Sequence, residues 1–179
     1  MSEKSDMFEP TFEMFLYPLV SIFGGNMLLY LWVQIFGKRD NSWIDVMWSL
    51  SFCWPNAIIM ILRTLSDDPD AKVTPRMLMS SIPVFFWGLR LSSYIFVRHT
   101  REDYRYKEMR EGWEAPGTCS YLTKSFVYVY MMQGLFSLFN NASALYTNLY
   151  SKGDDIVYSD FVGLAIWFLG FTIEVLSDA

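Results

Sequence analysis

Histidine and cysteine are almost missing from this chain. His99 stands alone, so no histidine spacing suggests a metal site, and Cys53 and Cys119 are too few for a disulfide framework. No Gly-x-Gly-x-x-Gly occurs, which removes a Rossmann-type dinucleotide fingerprint. Internal repeats and low-complexity tracts are also lacking. The net charge of −5 argues against nucleic acid as a partner. Met1 to Pro10 carries more acids than bases and no arginine, so it resembles neither a signal peptide nor a mitochondrial presequence.

What the chain has is apolar surface in long runs. Hydrophobic residues make up 53% of its 179 positions, and they fall into five blocks: Phe15–Phe36, Trp43–Leu62, Met77–Val97, Phe126–Tyr146 and Ile156–Leu176. Each block is close to the roughly 20 residues that a helix needs to cross hydrocarbon. A soluble helical bundle would need broad polar stripes, and these blocks carry only a charge or an amide here and there. The pattern predicts an all-α polytopic transmembrane bundle of about five membrane-spanning helices, folded as one domain over residues 1–179.

The first block holds Gly24, Gly25 and Asn26, where a neighbouring helix can approach closely. A polar turn, Gly37–Ser42, leads to the second block, which carries Asp45 and Trp48 on one face and Pro55, a predicted kink. Arg90 sits in the third block within two turns of its exit, so snorkelling and pairing with Asp45 or Glu174 are both open. Arg98–Trp113 is the most charged stretch and suits an interfacial segment near headgroups or a phosphate-bearing ligand. In the fourth block Gln133, Asn140 and Asn141 are placed to tie helices together, and Asn141-Ala-Ser143 is a glycosylation pattern silenced by the membrane.

Glu174 and Asp178 close the last block four residues apart, on one helical face. Desolvation and mutual repulsion make both hard to ionise in a bilayer, so something must compensate them. The choices are basic partners, a shared proton, a bound polar ligand, or exit from the membrane. Gly163, Trp167, Gly170, Glu174 and Ser177 follow helical spacing, predicting a small-residue packing face that carries Glu174 into the bundle. With five crossings, eight bases lie on the side of Lys38, Arg39 and Arg98–Arg110 and five on the other, which predicts N-terminus out and C-terminus in.

Asn41-Ser-Trp43-Ile-Asp45-Val-Met-Trp48, Gly88-Leu-Arg90-Leu, Arg98 with Glu102-Asp103-Tyr104-Arg105-Tyr106, Gln133-Gly134, and Gly170 through Asp178 occur in an order that resembles the N-terminal part of the steroid 5-alpha-reductase-like membrane family. The resemblance implies a membrane oxidoreductase that moves hydride from NADPH to a carbon–carbon double bond conjugated to a carbonyl in a sterol or lipid. By matching motif, Asp178 looks like an acid of the cofactor cavity, and Glu174, Arg90, Asp103 and Arg105 look like its polar surroundings. The family continues into an Asn-Pro-Tyr-type segment that supplies much of the cofactor grip, and nothing of that type follows Gly170 here. The chain is therefore expected to be incomplete at its C-terminus or to have kept only a membrane role, as a non-catalytic accessory subunit of a larger assembly. Membrane lipids and other membrane subunits, or a missing C-terminal half, are the implied partners. Alone, the chain is expected to bind no nicotinamide cofactor, because Glu174 and Asp178 without cationic partners repel phosphates. The endoplasmic reticulum and the mitochondrial inner membrane fit equally well.

Overall fold

The computed structural model describes residues 9–68, 70–152 and 156–178. The architecture is all-helical: α1 Phe12–Ile35, α2 Trp43–Leu65, α3 Pro75–Arg98, α4 Tyr104–Glu114, α5 Thr118–Lys124, a π-helical stretch Ser125–Met131, α6 Met132–Tyr150 and α7 Tyr158–Asp178. From α5 to α6 the chain is one continuous rod. Five long passes result, matching the five apolar blocks. The fourth begins eight residues earlier than its block because Thr118–Lys124 is helical too. Among the described residues α1, α2 and α7 are long and apolar enough to cross a membrane on their own composition. Part of the N-terminal segment and of the Ser151–Asp155 turn lies outside the described residues.

Prolines sit inside three of the long helices, Pro18 in α1, Pro55 in α2 and Pro83 in α3, and each helix runs on through its proline. α2 stays helical through Pro55, whose missing N–H frees the Ser51 carbonyl, and side-chain amides gather one residue further on. Asn56 Nδ2 and Asn141 Nδ2 both donate to the Phe52 carbonyl, at 2.8 and 3.2 Å. An amide ladder extends from this point. Asn56 donates to Asn141 Oδ1 at 2.9 Å, and Asn148 donates to Asn56 Oδ1 at 2.6 Å. Ser81 on α3 reaches Asn148 Oδ1 at 3.2 Å. In an apolar surround each unpaired amide costs about 1–3 kcal/mol, so the ladder fixes the register of α2, α3 and α6 more sharply than their leucines do. Asn141 is buried in this ladder, whereas Asn140 is exposed and ties nothing.

Close backbone approach marks α2 against α3. A Cβ at Gly88 would lie 2.5 Å from Cys53 Sγ and 2.8 Å from the Ser49 carbonyl. Gly25 meets the Trp54 ring, while Gly24 faces open space, so only half of the predicted glycine pair is a contact. Asn26 is buried and donates to the Tyr130 carbonyl, a group in the π-helical stretch.

One end of the bundle is closed by Arg63, only 1% exposed. Its guanidinium donates to the carbonyls of Ala71, Lys72 and Asn148 at 3.2, 3.1 and 3.0 Å, so backbone dipoles solvate the charge. Below it pack Met14, Ile59, Ala71, Leu145 and Leu149. A second cluster, Ile44, Tyr106, Val129 and Tyr130, lies at the other end and seats α4 against the bundle.

The last helix is attached differently. α7 has no buried residue. Most of its half-buried positions, Asp160, Leu164, Trp167, Phe171, Glu174 and Asp178, repeat every three and four residues, the seam of a helix that packs mainly on one neighbour. That neighbour is α3. The predicted packing face is thus corrected: Gly163, Gly170 and Ser177 are exposed, and nothing approaches either glycine within 4 Å.

Candidate functional site

The polar end of the bundle is built from the α1–α2 turn outward. Lys38 and Arg39 take φ of 53° and 61°, two successive left-handed residues without glycine's freedom, which costs on the order of 1 kcal/mol each. The reversal turns Asp40, Asn41 and Ser42 inward. Asn41 becomes a hub: Oδ1 accepts from Gln34 Nε2, Ser125 Oγ and Tyr130 OH at 3.2, 3.0 and 3.2 Å, and Nδ2 donates to Tyr121 OH at 3.2 Å. Three helical segments, α1, α5 and the π-helical stretch, are joined through one side chain, which offsets the strained backbone. Arg39 reaches Glu114 at 3.0 Å and fastens the turn to the end of α4.

His99, just past α3, meets the same turn. Its Nε2 is 2.9 Å from Ser42 Oγ and 3.4 Å from Asp40 Oδ2, and its ring lies on Trp43 with centroids 4.3 Å apart. Ser42 also bonds Asp40 and accepts from the Asp103 backbone N–H at 3.4 Å. Asp103 caps α4, accepting from the Arg105 N–H at 2.9 Å and from its guanidinium at two points, both 3.0 Å. That bidentate contact holds the Asp103 carboxyl below the usual aspartate range and raises Arg105. Tyr106 OH donates to Asp45 Oδ1 at 2.6 Å, and Arg105 Nη2 is 3.4 Å from Asp45 Oδ2. Burial, reinforced by the Asp45 charge, pushes the Tyr106 phenol well up. Arg110 grips Glu102 at 2.7 and 3.1 Å, completing the staples that hold α4 across the bundle end.

Between these groups opens a cavity of about 1040 Å³. Its lining includes Asp45 and Trp48 of α2, Tyr94 and Arg98 of α3, Arg101, Asp103, Arg105 and Lys107 at the start of α4, and Gln133 of α6. Arg101 forms no ion pair among the described residues, and Arg98 touches only the phenol of Tyr94. Such a volume lies at the top of the range for small-molecule sites, roughly 300–1,000 Å³. No group of three metal-ligating side chains exists among the described residues.

Arg90, Glu174 and Asp178 form a second cluster beside this cavity. Arg90 Nη1 is 2.8 Å from Glu174 Oε1, and Nη2 is 2.6 Å from Asp178 Oδ2, a charge contact without hydrogen-bond alignment. Trp87 Nε1 donates to Glu174 Oε2 at 2.9 Å, and Tyr94 OH donates to the Asp178 carbonyl at 2.8 Å. Arg90 therefore faces protein and pairs with both carboxylates of α7, not with Asp45. The repulsion expected from two uncompensated acids is removed within the chain itself. Tyr94 connects the clusters, for it also lines the cavity.

Of the five residues assigned by motif, Asp103 and Arg105 stand on the cavity wall, while Arg90, Glu174 and Asp178 lie behind Tyr94. Sequence reasoning missed Tyr106, Tyr94, Trp87 and the Asp40–Ser42–His99 contact. Trp87, Arg90 and Tyr94 do share one helical face, at steps of three and four, and that spacing was a readable signal. Nothing in sequence spacing brings His99 to Ser42.

No curated protein and no solved structure matches the chain. Residues 30–179, from the polar end of α1 onward, match the family described as Protein of unknown function (DUF1295), and the chain belongs to that family.

Proposed function

We propose that this chain forms the membrane half of an NADPH-dependent reductase acting on a double bond conjugated to a carbonyl in a sterol or lipid, with all five long helices crossing the bilayer. The observation that carries this reading is the cavity at the polar bundle end, where four bases, Arg98, Arg101, Arg105 and Lys107, meet a set of internally satisfied acids. The residues fit a phosphorylated cofactor. Arg101 and Arg98 have donors to give to phosphate oxygens, and the guanidinium of Arg105 is held rigidly by Asp103. Gln133 offers an amide to a sugar or carboxamide. Trp48, Leu91 and Ile95 form the apolar wall that keeps water from the reacting carbon. When bound, the cofactor supplies hydride.

The test is a titration of the purified chain with NADPH, followed by cofactor fluorescence. Saturable micromolar binding that weakens at least tenfold in Arg101→Glu and Arg105→Glu supports the proposal. Absence of saturable binding moves the weight to a second reading, a non-catalytic accessory subunit. The exposed apolar face of α7, including Phe161, Ile166, Leu169 and Ile173, favours that alternative, because a neighbouring helix can pack there.

A further inference from the structure

Reducing a conjugated double bond takes a proton as well as a hydride, and few groups on the cavity wall can give one. The arginines and Lys107 hold their protons too tightly. The carboxylates Asp45, Glu102 and Asp103 are paired with Arg105 or Arg110, as ionised acceptors. Tyr94 commits its hydroxyl proton to the Asp178 carbonyl, and Tyr104 is 75% exposed, where water competes for it. His99 is left.

The hydrogen bonds around His99 fix which of its nitrogens keeps a hydrogen. Ser42 has one hydroxyl hydrogen, and it goes to the Asp40 carboxylate, which only accepts. The Asp103 N–H points at the same Ser42 oxygen from 3.4 Å. Ser42 Oγ is therefore an acceptor towards His99, so Nε2, 2.9 Å away, carries a hydrogen. Nδ1 is the opposite case. It has no hydrogen-bond partner among the described residues, yet it is not sealed in as the unpartnered Trp48 Nε1 is. The ring lines the cavity, with one nitrogen anchored and the other free to gain or lose a proton.

We propose that His99 is the proton donor of the reaction, acting through Nδ1–H; this rests on the reductase reading of the cavity. Hydride arriving at the β carbon of the conjugated system leaves an electron pair shared by the α carbon and the carbonyl oxygen. That pair takes the proton from Nδ1, the N–H bond breaking as the new C–H bond forms at the α carbon. The ring ends neutral, with Nε2–H still on Ser42, and regains a proton from water in the cavity. Before transfer the imidazolium has a counter-charge in Asp40, whose Oδ2 is 3.4 Å from Nε2, and a π face in Trp43, centroids 4.3 Å apart. Asp40 and Ser42 act through the ring, as positioning residues.

The chain has one histidine, so isotope-labelled histidine reports on it alone. Imidazole nitrogen NMR of the purified chain is expected to show a hydrogen fixed on Nε2 with exchange confined to Nδ1, and Ser42→Ala should release that preference. A hydrogen fixed on Nδ1 overturns the proposal without any assay of activity. Turnover is then measured with NADPH and two conjugated probes, the sterol cholestenone and the straight-chain hexadecenal. His99→Gln keeps an amide N–H for Ser42 but has no proton to transfer. It is expected to leave NADPH binding and KM within about twofold and to lower kcat roughly a hundredfold or more. Unchanged kcat overturns the proposal and leaves the reductase reading standing. A parent chain that turns over neither probe overturns the reductase reading and this proposal with it. If His99→Gln fails to fold, acylation of the one imidazole with diethyl pyrocarbonate carries the same test: turnover should be lost and should return with hydroxylamine.

Discussion

Arg90 on α3 stands 2.8 Å from Glu174 on α7, and fourteen residues earlier on both helices Arg76 stands 3.1 Å from Asp160. Equal separations on the two helices mean that α3 and α7 run parallel. Fourteen residues are two heptads, the interval at which one side of a slightly supercoiled helix returns to the same neighbour. α7 is therefore strapped at both ends by arginine–carboxylate pairs, with Leu164, Trp167 and Phe171 between them. Parallel α3 and α7 also require one antiparallel pass between them, which α6 supplies.

Removing the Arg90 charge should loosen α7 without unfolding the rest. Arg90→Ala leaves two carboxylates without their cation, and because the group is 21% exposed the cost falls between that of a surface and a buried pair, about 2 kcal/mol. Hydrogen exchange should rise in Tyr158–Asp178 and stay unchanged in α2. Adding Glu174→Gln should recover part of the loss, and strictly additive effects in that double-mutant cycle would rule out the strap.

The pairing of Arg39 with Glu114 holds the α1–α2 turn and α4 at one end of the bundle, which is one side of the membrane in the proposed five-pass arrangement. In a Cys119→Ser background, cysteines introduced at positions 39 and 105 should react with a membrane-impermeant reagent from the same side of sealed vesicles, and one at position 72 from the other. Cys53 is buried and should not interfere. Labelling of 39 and 105 from opposite sides would sink the five-pass topology.

Docking of α4 should depend on pH at both extremes. Asp103 has a depressed folded value, so its contribution is complete above the ordinary carboxyl range, about 4, and is lost as pH falls through the lower folded value. Tyr106 has a raised value, so its contribution is complete below about 10 and is lost as pH climbs towards the folded value. Tryptic cleavage at Lys107, measured over short exposures against a denatured control at each pH, should report release in the alkaline limb. Tyr106→Phe should flatten that limb and leave the acidic one, read with an acid protease, in place.

Glycine substitutions should separate contact from open space. Gly88→Ala drives a methyl group against Cys53 and the Ser49 carbonyl and should cost about 1–3 kcal/mol, seen as a lower melting temperature in detergent. Gly170→Ala meets nothing within 4 Å and relieves a flexible helical residue, so its melting temperature should hold or rise.

Sequence alone determined the helices, because apolar runs of membrane length with polar breaks leave the backbone no other way to satisfy its hydrogen bonds. It also brought Glu174 and Asp178 to one face and narrowed Arg90 to snorkelling or pairing with a carboxylate, since helical spacing is local and a charge in an apolar run has few places to go. Tertiary structure decided the rest. Which acid Arg90 meets depends on α3 and α7 lying parallel, a relation between segments more than eighty residues apart. The meeting of His99 with Ser42 and the open space at Gly163 and Gly170 likewise depend on what packs alongside. Periodicity shows which face of a helix needs a neighbour, but the neighbour is chosen by burial and hydrogen bonding summed over the whole bundle.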